Sequence, residues 1–349
     1  MNFKAISNLA AEAVAGEAFP CVAFAIGLKD KIIYEDCIGT ANGKAITRDS
    51  LFDMASVTKT VIPTTLAMLF LEKGLVSLHE PISEFLENVP KDKADITIKH
   101  LMTHTSGIKA HTLLQDFAKK PSDVVDVILK TRLSAPVGTA AEYSCLGFIL
   151  LGKILENISG KSLDTLAQEY ILNPLDMRNS GYKPTEGHIV PTEFDKESDT
   201  YLCGDVHDEN ARFMGGVSAN AGLFSNIIDM IKYCAMLSSG GLLNGFPFVS
   251  KATLDVFTRD YTPGMSESRG LGFSLYDGRP HALGDLFPIG SYGHTGYTGT
   301  CFFVDIKTGL YVILLTNRVN YGRDNNKIMY FRRRFHNMVY GEFRGIVNL

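Results

Sequence analysis

CVAFAIGLKDKIIYEDCIG, residues 21–39, opens with the apolar run Cys21-Val22-Ala23-Phe24-Ala25-Ile26, breaks at Lys29-Asp30-Lys31 and resumes with Ile32-Ile33-Tyr34. Apolar, β-branched and aromatic runs on either side of a short polar break read as two strands joined by a hairpin. A matching block lies at the far end, GTCFFVDIKTGLYVILLTN at residues 299–317, with Lys307-Thr308-Gly309 as its turn. Both ends of the chain can therefore contribute to one sheet.

Between the two blocks the apolar period is mostly helical, over residues 60–73, 96–102, 122–133, 147–157, 162–171 and 227–237, and residues 325–340 repeat it near the C-terminus. Residues 1–20 read as an amphipathic helix with Phe3, Ile6, Leu9 and Ala13 on one face. Pro63 removes a backbone N–H inside the first internal helix, which costs ~3 kcal/mol in a regular interior and less in the first two turns. The expected fold class is α+β: an antiparallel sheet built from N- and C-terminal strands, flanked by helices, with a largely helical inserted region. No linker divides the chain, so one domain spans 1–349, its sheet part at about 1–55 and 265–349 and its helical part at about 56–264.

Composition narrows the function. Hydrophobic residues make up 45% of the 349 and charged residues 21%, the profile of a globular protein. The net charge is −4, and the longest basic tract is Arg332-Arg333-Arg334, so nucleic acid is not an expected partner. No window reaches the apolar length of a membrane span, and residues 1–20 lack the apolar core of a signal peptide; the chain reads as cytoplasmic with no membrane partner. Six cysteines, at 21, 37, 145, 203, 234 and 301, form no CxxC pair and mostly sit in apolar runs, as small buried hydrophobes do. His104 and His207 are isolated from further ligands at metal-site spacing, and Ser238-Ser239-Gly240-Gly241 reads as a helix C-cap.

Three short stretches carry chemistry. In Ala55-Ser56-Val57-Thr58-Lys59-Thr60 the serine and lysine lie three apart, on one face of a helix. A partly desolvated lysine there can take the serine's proton; equally, Ser56 is a preferred N-cap residue and lysine is common on helices. Tyr143, in Glu142-Tyr143-Ser144-Cys145, is a proton relay or an aromatic packed at a helix start. His294-Thr295-Gly296-Tyr297, before the strong strand block, suits a sheet edge where backbone approaches a ligand and leaves an N–H for an oxyanion, or a plain glycine-rich turn.

Taken together, Ser56-x-x-Lys59, Tyr143-Ser144-Cys145 and His294-Thr295-Gly296, in that order, resemble the serine β-lactamase and penicillin-binding-protein superfamily. The likeness is to its class C β-lactamase-like branch, which holds esterases, D-aminopeptidases and cell-wall amidases and carboxypeptidases. Residues 101–108, LMTHTSGI, and Gly222-Leu223-Phe224-Ser225 resemble further segments of that branch, and the likeness runs from about residue 17 to the C-terminus. Residues 205–211, DVHDENA, and 315–319, LTNRV, look like the cell-wall-related members.

The resemblance implies a β-lactamase/transpeptidase-like fold and a serine hydrolase that forms an acyl-enzyme, with no metal or cofactor. Ser56 would be the nucleophile, Lys59 its proton acceptor and Tyr143 a helper that also activates water. The backbone N–H groups of Ser56 and Tyr297 would form the oxyanion hole, and Cys145, His294, Thr295 and Gly296 would line the substrate site. A peptidoglycan-derived amide ranks first as substrate, in the manner of a carboxypeptidase or muropeptide amidase. The alternatives are an esterase and a penicillin-binding or sensing protein with little turnover. Two departures stand out: Cys145 occupies a position where the family commonly has asparagine, so a side-chain amide is missing, and His294 replaces lysine. A histidine there is expected to be neutral for part of the time at pH 7, making carboxylate binding pH-dependent.

Overall fold

The computed structural model describes residues 3–344. Its centre is a seven-stranded antiparallel sheet of β1 (Cys21–Leu28), β2 (Lys31–Ala41), β3 (Lys44–Ala45), β4 (Ser274–Leu275), β5 (Tyr292–Thr295), β6 (Cys301–Val304) and β7 (Leu310–Thr316). The spatial order is β4-β5-β6-β7-β1-β2-β3. β1 and β2 form the expected hairpin around Lys29 and Asp30, and β6 and β7 the second one. The ends of the chain meet where β1 pairs with β7, Val22 opposite Thr316 and Ala25 opposite Ile313.

Because side chains alternate along a strand, the continuous apolar runs of β1 and β7 serve two cores, one on each face. Val22, Phe24, Ile26, Val312 and Leu314 pack under the terminal helices Phe3–Ala15 and Lys327–Arg344, together with Ile6, Phe331 and Phe335. Cys21, Ala23, Ala25, Ile313 and Leu315 point the other way, into the core shared with the helix Ile227–Ser238. Gly27 is opposite Tyr311, and a Cβ on it would lie 2.1 Å from the Tyr311 ring. The Tyr311 ring occupies the space a side chain at Gly27 would need. Phe24 is wholly buried and meets Phe335 edge to face at 5.2 Å. Phe24→Ala is expected to lower the unfolding free energy by about 3–5 kcal/mol, read as a shift of the urea midpoint at constant slope.

Three local features go beyond or against the sequence reading. Residues 60–73 do not form one regular helix: an α-turn at Val57–Lys59 runs into a π-helical turn at Thr60–Thr64 and then the α-helix Thr65–Glu72. Pro63 sits in the π-turn, because its ring and missing N–H disrupt the regular ladder there. The Thr60 carbonyl accepts bonds from Tyr233 Oη at 3.0 Å and Thr65 Oγ1 at 3.2 Å. Second, residues 292–295, read as the approach to a strand, are strand β5 itself, pairing with β6 and β4. Third, short helices at Glu209–Phe213 and Lys251–Phe257, with no clear apolar period, form on the side-chain caps of Asp208 and Ser250.

Candidate active site

Ser56 lies at the start of the α-turn Val57–Lys59, just after Ala55, whose φ of +46° is rare for a residue with a side chain. The turn is tied down from behind by Asp53. Its buried carboxylate accepts Ala55 N–H at 2.8 Å and His207 N–H at 2.7 Å. Ser56 stands at the N-cap position of this turn, but its side chain makes no cap bond. Instead its Oγ accepts a bond from Lys59 Nζ at 3.1 Å.

Lys59 is fully buried and has no carboxylate partner among the described residues. Its Nζ also donates to the Asn220 carbonyl at 2.8 Å and to Cys145 Sγ at 3.4 Å, and lies 4.9 Å from the centre of the Tyr143 ring. Burial pushes this amine down, while negative charge on Cys145 and Tyr143 pushes it up, the net direction being upward when both are ionised. Tyr143 is itself held above the ordinary phenol value by burial, although Lys59 and Ser56 favour its phenolate. Near neutral pH the phenol therefore keeps its proton, and the upward push on Lys59 is reduced. Among the described residues Tyr143 Oη makes no well-formed hydrogen bond.

Tyr143 is positioned by the loop that carries His104. The two rings lie 4.6 Å apart, and His104 Nδ1 accepts the Ser144 N–H at 3.0 Å. Burial and the nearby cations Arg269 and Lys59 hold His104 well below the ordinary histidine value, which matches a neutral ring accepting at Nδ1. Ser144 caps the following helix, Cys145–Ser159, by accepting Gly147 N–H at 3.1 Å, which sets Tyr143 and Cys145 at its mouth.

The turn after β5 comes from the opposite end of the chain and closes on the serine. Thr298 Oγ1 donates to the Asp53 carbonyl at 2.8 Å, and Thr300 Oγ1 to the Met54 carbonyl at 3.1 Å. Contact is close enough that a Cβ on Gly296 would lie 2.7 Å from the Met54 carbonyl oxygen. Among the described residues, the N–H groups of Ser56 and Tyr297 meet no acceptor. Ser56, Tyr143 and Tyr297 border two cavities of about 310 Å³ each. One has walls from Cys145, His207, Asp208 and Glu209; the other from His294, Thr295, Gly296, Arg269, Arg318 and Arg332, with no acidic residue lining it.

All the sequence-selected residues thus gather at one place. The expectation for His294 changes: it is 3% exposed, its Nδ1 donates to the Thr295 carbonyl at 2.7 Å, and burial with the cations Arg269 and Lys59 holds it well below the ordinary histidine value. It is neutral throughout the range near pH 7. A residue absent from the sequence reading is Arg269, 7% exposed, which faces the Tyr143 ring at 5.2 Å and is paired with Glu267. Arg318, Arg332, Asn220 and Asp53 were likewise not read as site residues, Arg318 standing only in the segment 315–319 and Arg332 only in the basic tract 332–334. Their roles come through backbone carbonyls and N–H groups, which leave no residue-type signature. Among the described residues no group of three or more His, Cys, Asp or Glu side chains is placed to hold a metal ion, and no helix is long and apolar enough to cross a membrane.

The sequence matches the Beta-lactamase family model over residues 6–334. It is 26% identical over 300 residues to the N-acetylmuramyl-L-alanine amidase of Bacillus subtilis, covering 77% of this chain and 68% of the relative. It is 27% identical over 315 residues to a Salmonella enteritidis protein named "Putative D-alanyl-D-alanine carboxypeptidase", covering 81% and 72%. Among solved structures, the octameric penicillin-binding protein homologue from Pyrococcus abyssi superposes with a TM-score of 0.79 at 22% identity, over 98% of this chain and 78% of the other. EstCE1, a hydrolase with promiscuous acyltransferase activity, gives 0.77 at 20% identity, over 97% and 98%. These superpositions identify the β-lactamase/transpeptidase fold.

Proposed function

We propose, for a chain that belongs to the Beta-lactamase family and is a serine hydrolase, that catalysis runs through an acyl-enzyme on Ser56. The observation that carries the mechanism is the buried Lys59 Nζ, 3.1 Å from Ser56 Oγ and without an acid partner among the described residues. In its neutral form the amine takes the serine proton as Oγ attacks the substrate carbonyl. The free N–H groups of Ser56 and Tyr297 receive the oxyanion, a contribution of ~3 kcal/mol for one good donor. Tyr143, between Lys59 and the cavities, passes the proton to the leaving group and later helps water attack the ester.

For the substrate we favour a peptidoglycan-derived amide, hydrolysed in the manner of a carboxypeptidase or muropeptide amidase. Two relatives carry such names. The cavity beside Thr295 adds physical support, because Arg269, Arg318 and Arg332 give it a positive potential suited to a carboxylate end. His294, being neutral, contributes shape and an acceptor there rather than charge. A small ester is the second reading. Cys145 has no side-chain carbonyl to receive a substrate N–H, a lack that handicaps an amide and not an ester. A penicillin-binding protein with little turnover would keep acylation and lose the second step.

Intact-mass spectrometry with p-nitrophenyl acetate and a fluorescent penicillin, alongside release of product from a muropeptide, tests the proposal. The expected result is an adduct or steady turnover in the wild type that disappears in Ser56→Ala. Turnover surviving in Ser56→Ala would overturn the nucleophile assignment. An adduct that persists without turnover would select the binding or sensing reading.

A further inference from the structure

Arg332 lies on the C-terminal helix Lys327–Arg344, is 4% exposed, and has no carboxylate partner among the described residues. A buried guanidinium normally requires an acid or a full set of acceptors, since burial penalises its charge. Arg318, itself 8% exposed, lies close enough to add repulsion. Arg332 instead directs Nη2 at two backbone carbonyls, Thr300 at 2.9 Å and Gly296 at 3.3 Å, the latter also accepting the Gly299 N–H at 3.1 Å, while its Nε makes no well-formed bond and the Cys301 thiol is the side chain beside the guanidinium.

The Gly296 carbonyl shares its peptide plane with the Tyr297 N–H. In a trans peptide the two groups point in opposite directions, and no cis peptide occurs among the described residues. Holding the carbonyl from the helix side therefore turns the N–H toward Ser56. Arg318 secures the next two carbonyls of the same turn: its Nε donates to Tyr297 O at 2.9 Å and its backbone N–H to Thr298 O at 2.7 Å. A cation on a carbonyl oxygen also draws electron density from the amide, which makes the N–H on the same plane a stronger donor.

We propose that Arg332 is a positioning residue for the oxyanion hole, holding the Gly296–Tyr297 peptide so that its N–H is aimed at the developing oxyanion and polarised toward it. The inference rests on the reading of Tyr297 N–H as an oxyanion donor. Its consequence is specific: toward a substrate that carries no carboxylate, Arg332 acts on the tetrahedral state and not on ground-state binding. The charge is kept buried and short of acceptors because it is answered only when negative charge develops on the other side of that peptide.

The test uses p-nitrophenyl acetate turnover and the affinity for phenylboronic acid, which adds to a serine hydroxyl to give a tetrahedral anion. Arg332→Ala is expected to lower kcat by about tenfold to a hundredfold, weaken phenylboronic acid by a similar factor, and leave KM within about threefold. Because Arg332 borders the cavity, added guanidinium ion should restore part of kcat, while urea, its neutral analogue, should not. If Arg332→Ala does not fold, Arg332→Lys carries the same test, with a smaller parallel loss in kcat and boronate affinity. A folded variant with wild-type kcat and wild-type boronate affinity, or one whose loss lies in KM alone, overturns the inference. Rescue by urea as good as by guanidinium overturns the part played by charge. The underlying reading fails separately, by turnover or boronate binding that survives in Ser56→Ala.

Discussion

Lys59→Met is expected to abolish acylation, lowering kcat/KM by about a thousandfold, within the range that a positioned acid or base supplies. The methionine keeps most of the volume in a site that is fully buried, and it removes a charge that has no carboxylate partner among the described residues. The Asn220 carbonyl, which Lys59 Nζ holds at 2.8 Å, loses its donor, so about 1–3 kcal/mol of stability is expected to go with it while unfolding stays cooperative. Burst kinetics with p-nitrophenyl acetate and a denaturant melt separate the two effects. The sign of the pH dependence follows from the role. A general base works deprotonated, so wild-type kcat/KM climbs with pH as Lys59 loses its proton, and the residual rate of Lys59→Met should lack that limb. His294 is already neutral, held well below the usual histidine value, so no step from it is expected between about pH 6 and 8. Acylation of Lys59→Met near the wild-type rate would remove Lys59 from the mechanism.

Gly296→Ala is expected to cripple the site although it adds only one carbon. The new Cβ would lie 2.2 Å from Thr300 Oγ1, 2.7 Å from the Met54 carbonyl oxygen and 3.3 Å from Ala55 Cβ. A backbone carbonyl cannot swing aside as a side-chain end can. The turn carrying Tyr297 must therefore separate from the turn carrying Ser56. Overpacking of this kind costs about 1–3 kcal/mol. The larger effect is on rate: the Tyr297 N–H moves off the oxyanion, and loss of one such donor lowers kcat by about a hundredfold or more. A thermal melt together with kcat and phenylboronic acid affinity reads both. A well-folded Gly296→Ala enzyme with wild-type kcat would show that the two turns need not touch.

The elements that could be read from sequence are those whose physics is local. The runs at residues 21–39 and 299–317 name their strands by composition, and the three-residue spacing of Ser56 and Lys59 places both on one face of any helix. Pro63 marked a disturbance without telling its form. The π-turn's Thr60 carbonyl receives the Tyr233 hydroxyl, from 173 residues away. His294 was misread in charge because a histidine's state depends on what surrounds it. Its burial and the proximity of Arg269 and Lys59 come from three separate parts of the chain.

The amino-acid sequence by itself determined the α+β class, the pairing of the two chain ends in one sheet, and the residue types of the chemistry: a serine with a lysine one turn behind it, a tyrosine at a helix mouth, and a glycine at a sheet edge. Only the tertiary structure decided that these meet and which groups hold them. Pairing of β1 with β7 brings the Thr298 and Thr300 hydroxyls to the carbonyls of Asp53 and Met54, contacts that span 245 and 246 residues. It also lays the C-terminal helix where Arg332 reaches the Gly296 carbonyl. Such contacts are made to backbone atoms, which every residue carries alike, so no pattern of side chains along the chain can announce them.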